Sequence, residues 1–96
     1  MPAKLYRKRP VEVEAFQFTE ESAREVEIWC GGEAEIIEQD LNHDSRWPRW
    51  EQVLEIETLE GTMEGHYGDW IIKRGADEYY PCRDDIFKAT YEEVTQ

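Results

Sequence analysis

The chain is short of almost everything that marks chemistry. Of 96 residues only two are cysteines, Cys30 and Cys82, and two are histidines. Two distant cysteines make no disulfide framework, and no CxxC spacing marks a zinc site. Both are expected to be reduced, structural thiols. No HxxxH or HExxH spacing points to a metal, so neither metal nor cofactor is expected. The longest apolar run is three residues, far short of a membrane span. No apolar h-region follows the charged start, which places the expected working compartment in the cytoplasm. Positive charge is scarce too. Asp and Glu number 23 against 11 Lys and Arg, a formal net charge of −12. Such a surface repels nucleic-acid backbones and anionic lipid, so neither is an expected partner.

The few basic residues cluster at the start. Lys4, Arg7, Lys8 and Arg9 give the first ten residues +4, leaving −16 on the rest. A basic arm, residues 1–10, thus leads into an acidic body. The length allows one domain, residues 1–96. Four Trp, five Tyr and three Phe supply aromatic burial enough for a small core.

Periodicity supplies the elements. Val11, Val13 and Ala15 alternate with Glu12 and Glu14 as in a half-buried strand, and Phe16 and Phe18 then face the other way. Thr19 is a credible N-cap for a helix over residues 20–30, with Glu20 and Glu21 favouring its dipole. Its buried stripe would be Ala23, Val26, Trp29 and Cys30, with Ile28 at the margin, and Gly31-Gly32 stops it. Residues 34–38 form a short strand. Residues 53–59 alternate clearly, Leu54, Ile56 and Thr58 against Glu55 and Glu57, and Glu60-Gly61 turns them into a returning strand over 62–66. The run Trp70-Ile71-Ile72 lies between turn signals at Gly65–Gly68 and Gly75–Asp77 and reads as a buried strand. Residues 78–82 should pair with it. Ile86, Phe87, Thr90, Tyr91 and Val94 then recur as one face of a helix capped by Asp84 or Asp85. These add up to a compact α+β domain: a mostly antiparallel sheet of five or six strands with one or two short helices.

The opening Tyr6-Arg7-Lys8-Arg9-Pro10-Val11-Glu12-Val13-Glu14-Ala15, with Gly68-Asp69-Trp70-Ile71-Ile72-Lys73, Tyr80-Pro81-Cys82 and Asp85-Ile86-Phe87, resembles a family of small bacteriophage and prophage proteins. Members begin with a YRK-x-P-V-x-V-E-A-like stretch and carry PGD[WY]-I-I-K, then F-Y-P-C and D-I-F. Tyr67 stands where the family has Pro, and residues 33–50 have no counterpart. The resemblance implies a phage or prophage origin and a bacterial cytoplasm, and it implies no activity. Folding explains its residues: Gly68 permits positive φ, Asp69 closes a turn, and Trp70-Ile71-Ile72 fill a core.

Candidate chemistry is thin. His66 with Asp69, and His43 with Asp44, lack the fixed geometry a general base needs. Cys82 precedes a helix start and sits beside Arg83, where a thiolate would be stabilised, but no histidine is tied to it. A non-enzymatic protein is the expectation. Residues 40–50 lack either period and form a loop holding Trp47 and Trp50 beside Arg46 and Arg49. Two readings stand: aromatics pinning the loop to the core, or an aromatic, locally cationic surface that grips a partner. The second makes Trp47, Arg49 and Trp50, with the acidic strand residues Glu55 and Glu57, the contact residues for a host bacterial protein. Rows of carboxylates could also imitate nucleic acid, for which salt-sensitive binding to a basic protein is the signature. The alternative is a small-ligand binder that sequesters a nucleotide signal of host defence. Its pocket would use Trp47, Trp50, Tyr79 or Tyr80 for stacking and Arg7, Arg9 or Arg83 for phosphate, and a homodimer joining two basic arms would offset the negative charge.

Overall fold

A computed structural model describes residues 3–5, 12–43 and 46–94. In chain order its elements are β1 (Glu14–Gln17), α1 (Ala23–Trp29), β2 (Ala34–Asp40), β3 (Trp50–Thr58), β4 (Gly61–Gly65), β5 (Trp70–Arg74), β6 (Glu78–Cys82) and α2 (Asp84–Thr90). The fold is α+β, with six antiparallel strands and two helices. The strands divide into two sheets of three, in the orders β1-β5-β6 and β2-β3-β4. The second sheet is a sequential meander set inside the first. Val11 lies outside the described residues, and Glu12 and Val13 precede the first strand, which begins at Glu14.

One core joins the sheets. Phe18, Ile71 and Tyr79 from the first meet Ala34, Leu54 and Ile56 from the second, and α1 adds Ala23, Val26 and Cys30. Strand alternation explains the membership, since Leu54 and Ile56 share a face of β3. Val53, on the opposite face, is fully buried as well. The sheets pack tightly at Gly65, where a Cβ would meet Ile71 Cδ1 at 3.0 Å. Phe18 extends the β1–β5 pairing: its N–H donates to the Asp69 carbonyl at 2.8 Å and its carbonyl accepts from Gly68 N–H at 2.7 Å. Gly68 holds φ at +97° there, a conformation closed to most side chains. Asp69 Oδ2 accepts the His66 N–H at 2.9 Å, so this carboxylate closes the turn as its residue type foretells.

Both helices differ from their expected form. The first helix begins at Ala23, not residue 20, and Ser22 occupies its N-cap. Thr19 and Ser22 instead bond each other: Ser22 Oγ accepts Thr19 N–H at 2.9 Å and Thr19 Oγ1 accepts Ser22 N–H at 3.1 Å. Ser22 Oγ–H also donates to the Gln17 carbonyl at 2.6 Å. Those bonds hold residues 19–22 as a turn outside the helix, a common competition for hydroxyl side chains. Trp29 is half-buried and Ile28 exposed, so the deeply buried stripe is Ala23, Val26 and Cys30 alone. The last helix ends at Thr90, with Tyr91 in extended backbone. It buries no residue completely, and Ile86 and Val94 are exposed. Its attachment is aromatic: Phe87 stacks on Trp70 at 4.3 Å between ring centroids and on Tyr91 at 5.1 Å. Asp84 Oδ1 accepts the Trp70 indole N–H at 2.8 Å, and Lys88 approaches Asp84 at 3.1 Å.

Candidate functional site

The hairpin between β2 and β3 carries the candidate surface. Asp40 and Trp50 are register partners, so nine residues, 41–49, connect them, more than the two to five usual in a hairpin. The neck of the connection is heavily bonded. Asp40 Oδ1 accepts N–H groups from Arg49 at 2.8 Å and Asn42 at 3.0 Å. Leu41 N–H donates to the Arg49 carbonyl at 2.9 Å, and Asn42 Nδ2–H donates to the Trp47 carbonyl. The Arg49 and Asn42 N–H bonds hold the Asp40 carboxyl below its usual pKa, with a smaller contribution from the charge of His43.

On this neck the two tryptophans point away from the core. Trp47 is 72% exposed and Trp50 63%, so the reading in which they pin the loop to the core is overturned. The physical reason is register. Trp50 shares its β3 face with Leu54 and Ile56 but sits at the strand's far end, beyond the core that covers those two. Pro48 biases Trp47 toward extended backbone. Arg49 reaches Glu51 at 3.4 Å, an exposed pair of small energetic worth.

Glu55 and Glu57 do not join that surface. Alternation along β3 puts them on the opposite face from Trp50, where they belong to a separate acidic surface. In it Glu35, Glu55 and Glu64 stand in direct register across β2, β3 and β4, at the interstrand spacing of about 5 Å. Glu57 Oε1 accepts the Thr62 hydroxyl at 3.0 Å, and His66 Nε2 lies 3.4 Å from Glu64. The expected contact set is therefore two surfaces back to back.

The residues expected for a nucleotide pocket are dispersed. Tyr79 is 4% exposed, packs edge-on against Trp29 at 5.4 Å, and donates its hydroxyl to the Trp29 carbonyl at 3.1 Å. It is core, because its β6 position faces the interior between the sheets. Tyr80 is half-buried under the Arg74 guanidinium, 5.5 Å from its ring centre. A cleft of about 190 Å³ beside Tyr80 is walled by Glu33, Glu57, Asp77 and Glu78, which repel a phosphate. Arg83 is bound to Asp85 at 2.8 Å. Arg7 and Arg9 lie outside the described residues, as does Asp44.

Neither cysteine has the surroundings of a nucleophile. Burial, reinforced by Glu27, pushes the Cys30 thiol up to about 11. Cys82 is also raised, by burial and then by Asp69 and Asp85, against the lowering expected from its place beside Arg83. Among the described residues no three His, Cys, Asp or Glu side chains converge to hold an ion, and no helix is long and apolar enough to cross a membrane.

Asp40 and Asn42 stand in the run read as a loop, but their bonds to the Arg49 and Trp47 peptides are not legible in the sequence. The nearest signal is the Asp-Leu-Asn run ahead of an aperiodic stretch, since both residue types bond backbone amides in turns. Comparison with family models, curated proteins and solved structures finds no match to this chain.

Proposed function

We propose that the chain is a non-enzymatic acidic binding module that captures a host bacterial protein through the Trp47–Trp50 loop. In the phage setting that the sequence resemblance implies, it works in the bacterial cytoplasm, in host takeover or in countering a defence system. One observation carries the reading: two large indoles stand mostly in solvent on a hydrogen-bonded neck. Folding gains little from them where they are, whereas a partner pocket that buried them would gain the several kcal/mol typical of Trp anchors, ~2–4.

The acidic face supplies the second half of the argument. A protein of charge −12 draws in basic partners and turns away acidic ones over roughly a Debye length, ~8 Å in physiological salt. The partner is therefore a basic protein with an apolar pocket, drawn in by the overall charge while the pocket meets the indoles. Its basic surface ordinarily meets nucleic acid in the mimicry form of the reading.

The test is a Trp47→Ala/Trp50→Ala double variant. The wild type, cross-linked in host lysate, should capture a discrete basic protein. The variant should keep its Tm and far-UV circular dichroism yet lose that capture, and salt should weaken the wild-type complex. A folded double variant that binds the same protein with unchanged affinity refutes the reading.

A further inference from the structure

We propose that Asp40 is the positioning residue of the Trp47–Trp50 surface, the group that fixes the backbone carrying both indoles before any partner arrives. It rests on the reading of those tryptophans as a contact surface, and it concerns how the surface is made ready.

The argument starts from the length of the connection. Nine residues joining paired strands would sample many conformations, and each ordered residue costs entropy. A contact surface on such a loop would lose affinity to ordering at the moment of binding. Here the neck of the loop is bonded in advance. Oδ1 of Asp40 bridges the neck, taking Asn42 N–H at 3.0 Å on the outgoing side and Arg49 N–H at 2.8 Å on the returning side.

The returning bond matters most for the tryptophans. Arg49 N belongs to the peptide plane that follows Pro48, directly before Trp50. Holding that plane orients the chain into Trp50. On the outgoing side the Asp40 bond seats Asn42, whose Nδ2–H in turn reaches the carbonyl of Trp47. That carbonyl lies on the Trp47–Pro48 peptide, so one carboxylate controls the planes on both sides of Pro48. His43 follows Asn42 at φ +57°, a left-handed conformation uncommon outside Gly, although His, like Asn and Asp, adopts it more readily than most. The bonds on Asn42 hold the chain where that reversal is required.

Charge alone does not describe this role. Asparagine at position 40 would keep an oxygen able to accept both N–H bonds, whereas alanine would keep none. The two substitutions therefore separate the clamp from the charge.

The experiment uses the full chain, free, labelled with ¹⁵N-tryptophan, and reads backbone amide order parameters. Trp47 and Trp50 report on the loop, and Trp29 in α1 and Trp70 in β5 are internal controls. In the wild type all four should lie near the rigid value of about 0.85. Asp40→Ala should drop Trp47 and Trp50 below about 0.6, the flexible range, with Trp29 and Trp70 unchanged. Asp40→Asn should stay near wild type. Rigid Trp47 and Trp50 amides in D40A overturn the proposal. So does loosening of all four tryptophans, which would make Asp40 a general structural residue, and so does a D40N as loose as D40A, which would assign the effect to charge. No partner enters, so a failure here leaves the contact-surface reading standing, and loss of that reading leaves the clamp standing.

Discussion

Glu55→Gln should make this protein more stable. Glu55 is the middle carboxylate of the Glu35–Glu55–Glu64 row and faces a like charge on each side. Like charges directly opposite on adjacent strands are destabilising. At partly exposed positions each contact is worth about 0.2–0.5 kcal/mol, the scale of surface pairs. Two contacts removed by a nearly isosteric amide then give about 0.4–1 kcal/mol, or about 2–8 °C in Tm for a domain of this size. Urea denaturation at 20 mM and at 1 M NaCl is the assay. The gain should be present at low salt and nearly vanish at high salt, where the Debye length of about 3 Å is shorter than the strand spacing. A variant no more stable at low salt, or a gain that survives 1 M salt, refutes the electrostatic account.

Three further outcomes follow from the geometry. Tyr79→Phe removes the hydroxyl donor to the Trp29 carbonyl and should cost about 1 kcal/mol in urea denaturation; an unchanged midpoint would mean the bond contributes nothing. The Trp70 indole N–H, then Lys88, hold the Asp84 carboxyl below its ordinary value of 3.8. The ionised form is thus favoured by folding, and its contribution is full above that value and lost as pH falls through the lowered one. Asp84→Ala should accordingly be less stable than wild type at pH 6, with the two Tm curves converging below about pH 4; parallel curves would sink this account of the α2 anchor. Finally, both thiols should alkylate more slowly at pH 7.5 than an unperturbed cysteine, Cys30 slowest because it is buried with its thiol up to about 11. Rapid labelling of Cys82 would contradict the raised thiol.

Elements with a local signature were legible from the sequence. The Leu54–Ile56 alternation, the Gly61 and Gly75 turns, and the Trp70-Ile71-Ile72 strand all stand where their periodicity puts them. What stayed hidden depends on contacts distant along the chain. Alternation marks strands but not their partners, so nothing local divides six strands between two sheets. The helical spacing of Ile86, Phe87, Thr90, Tyr91 and Val94 suggests a buried face, whereas α2 lays only Phe87 on the Trp70 ring, and Tyr91, just past the helix end, stacks on Phe87. Within the candidate site, the residue types of Trp47, Arg49 and Trp50 were readable. Their separation from Glu55 and Glu57 was not, because it follows from where β3 begins: starting at Trp50, the strand sends odd and even positions to opposite sides.

The nesting of one sheet inside the other also orders events in time. β2, β3 and β4 are joined by short-range hairpin links, while β1 must wait for β5, with Gln17 opposite Trp70. Closing that long loop costs entropy that no local contact returns. On the ribosome the β1 backbone therefore emerges early and stays without its strand partner until residues 70–74 follow it out. Pulsed hydrogen exchange should find the meander amides protected first and those of β1 last, so the opening strand serves as the closing latch of the fold.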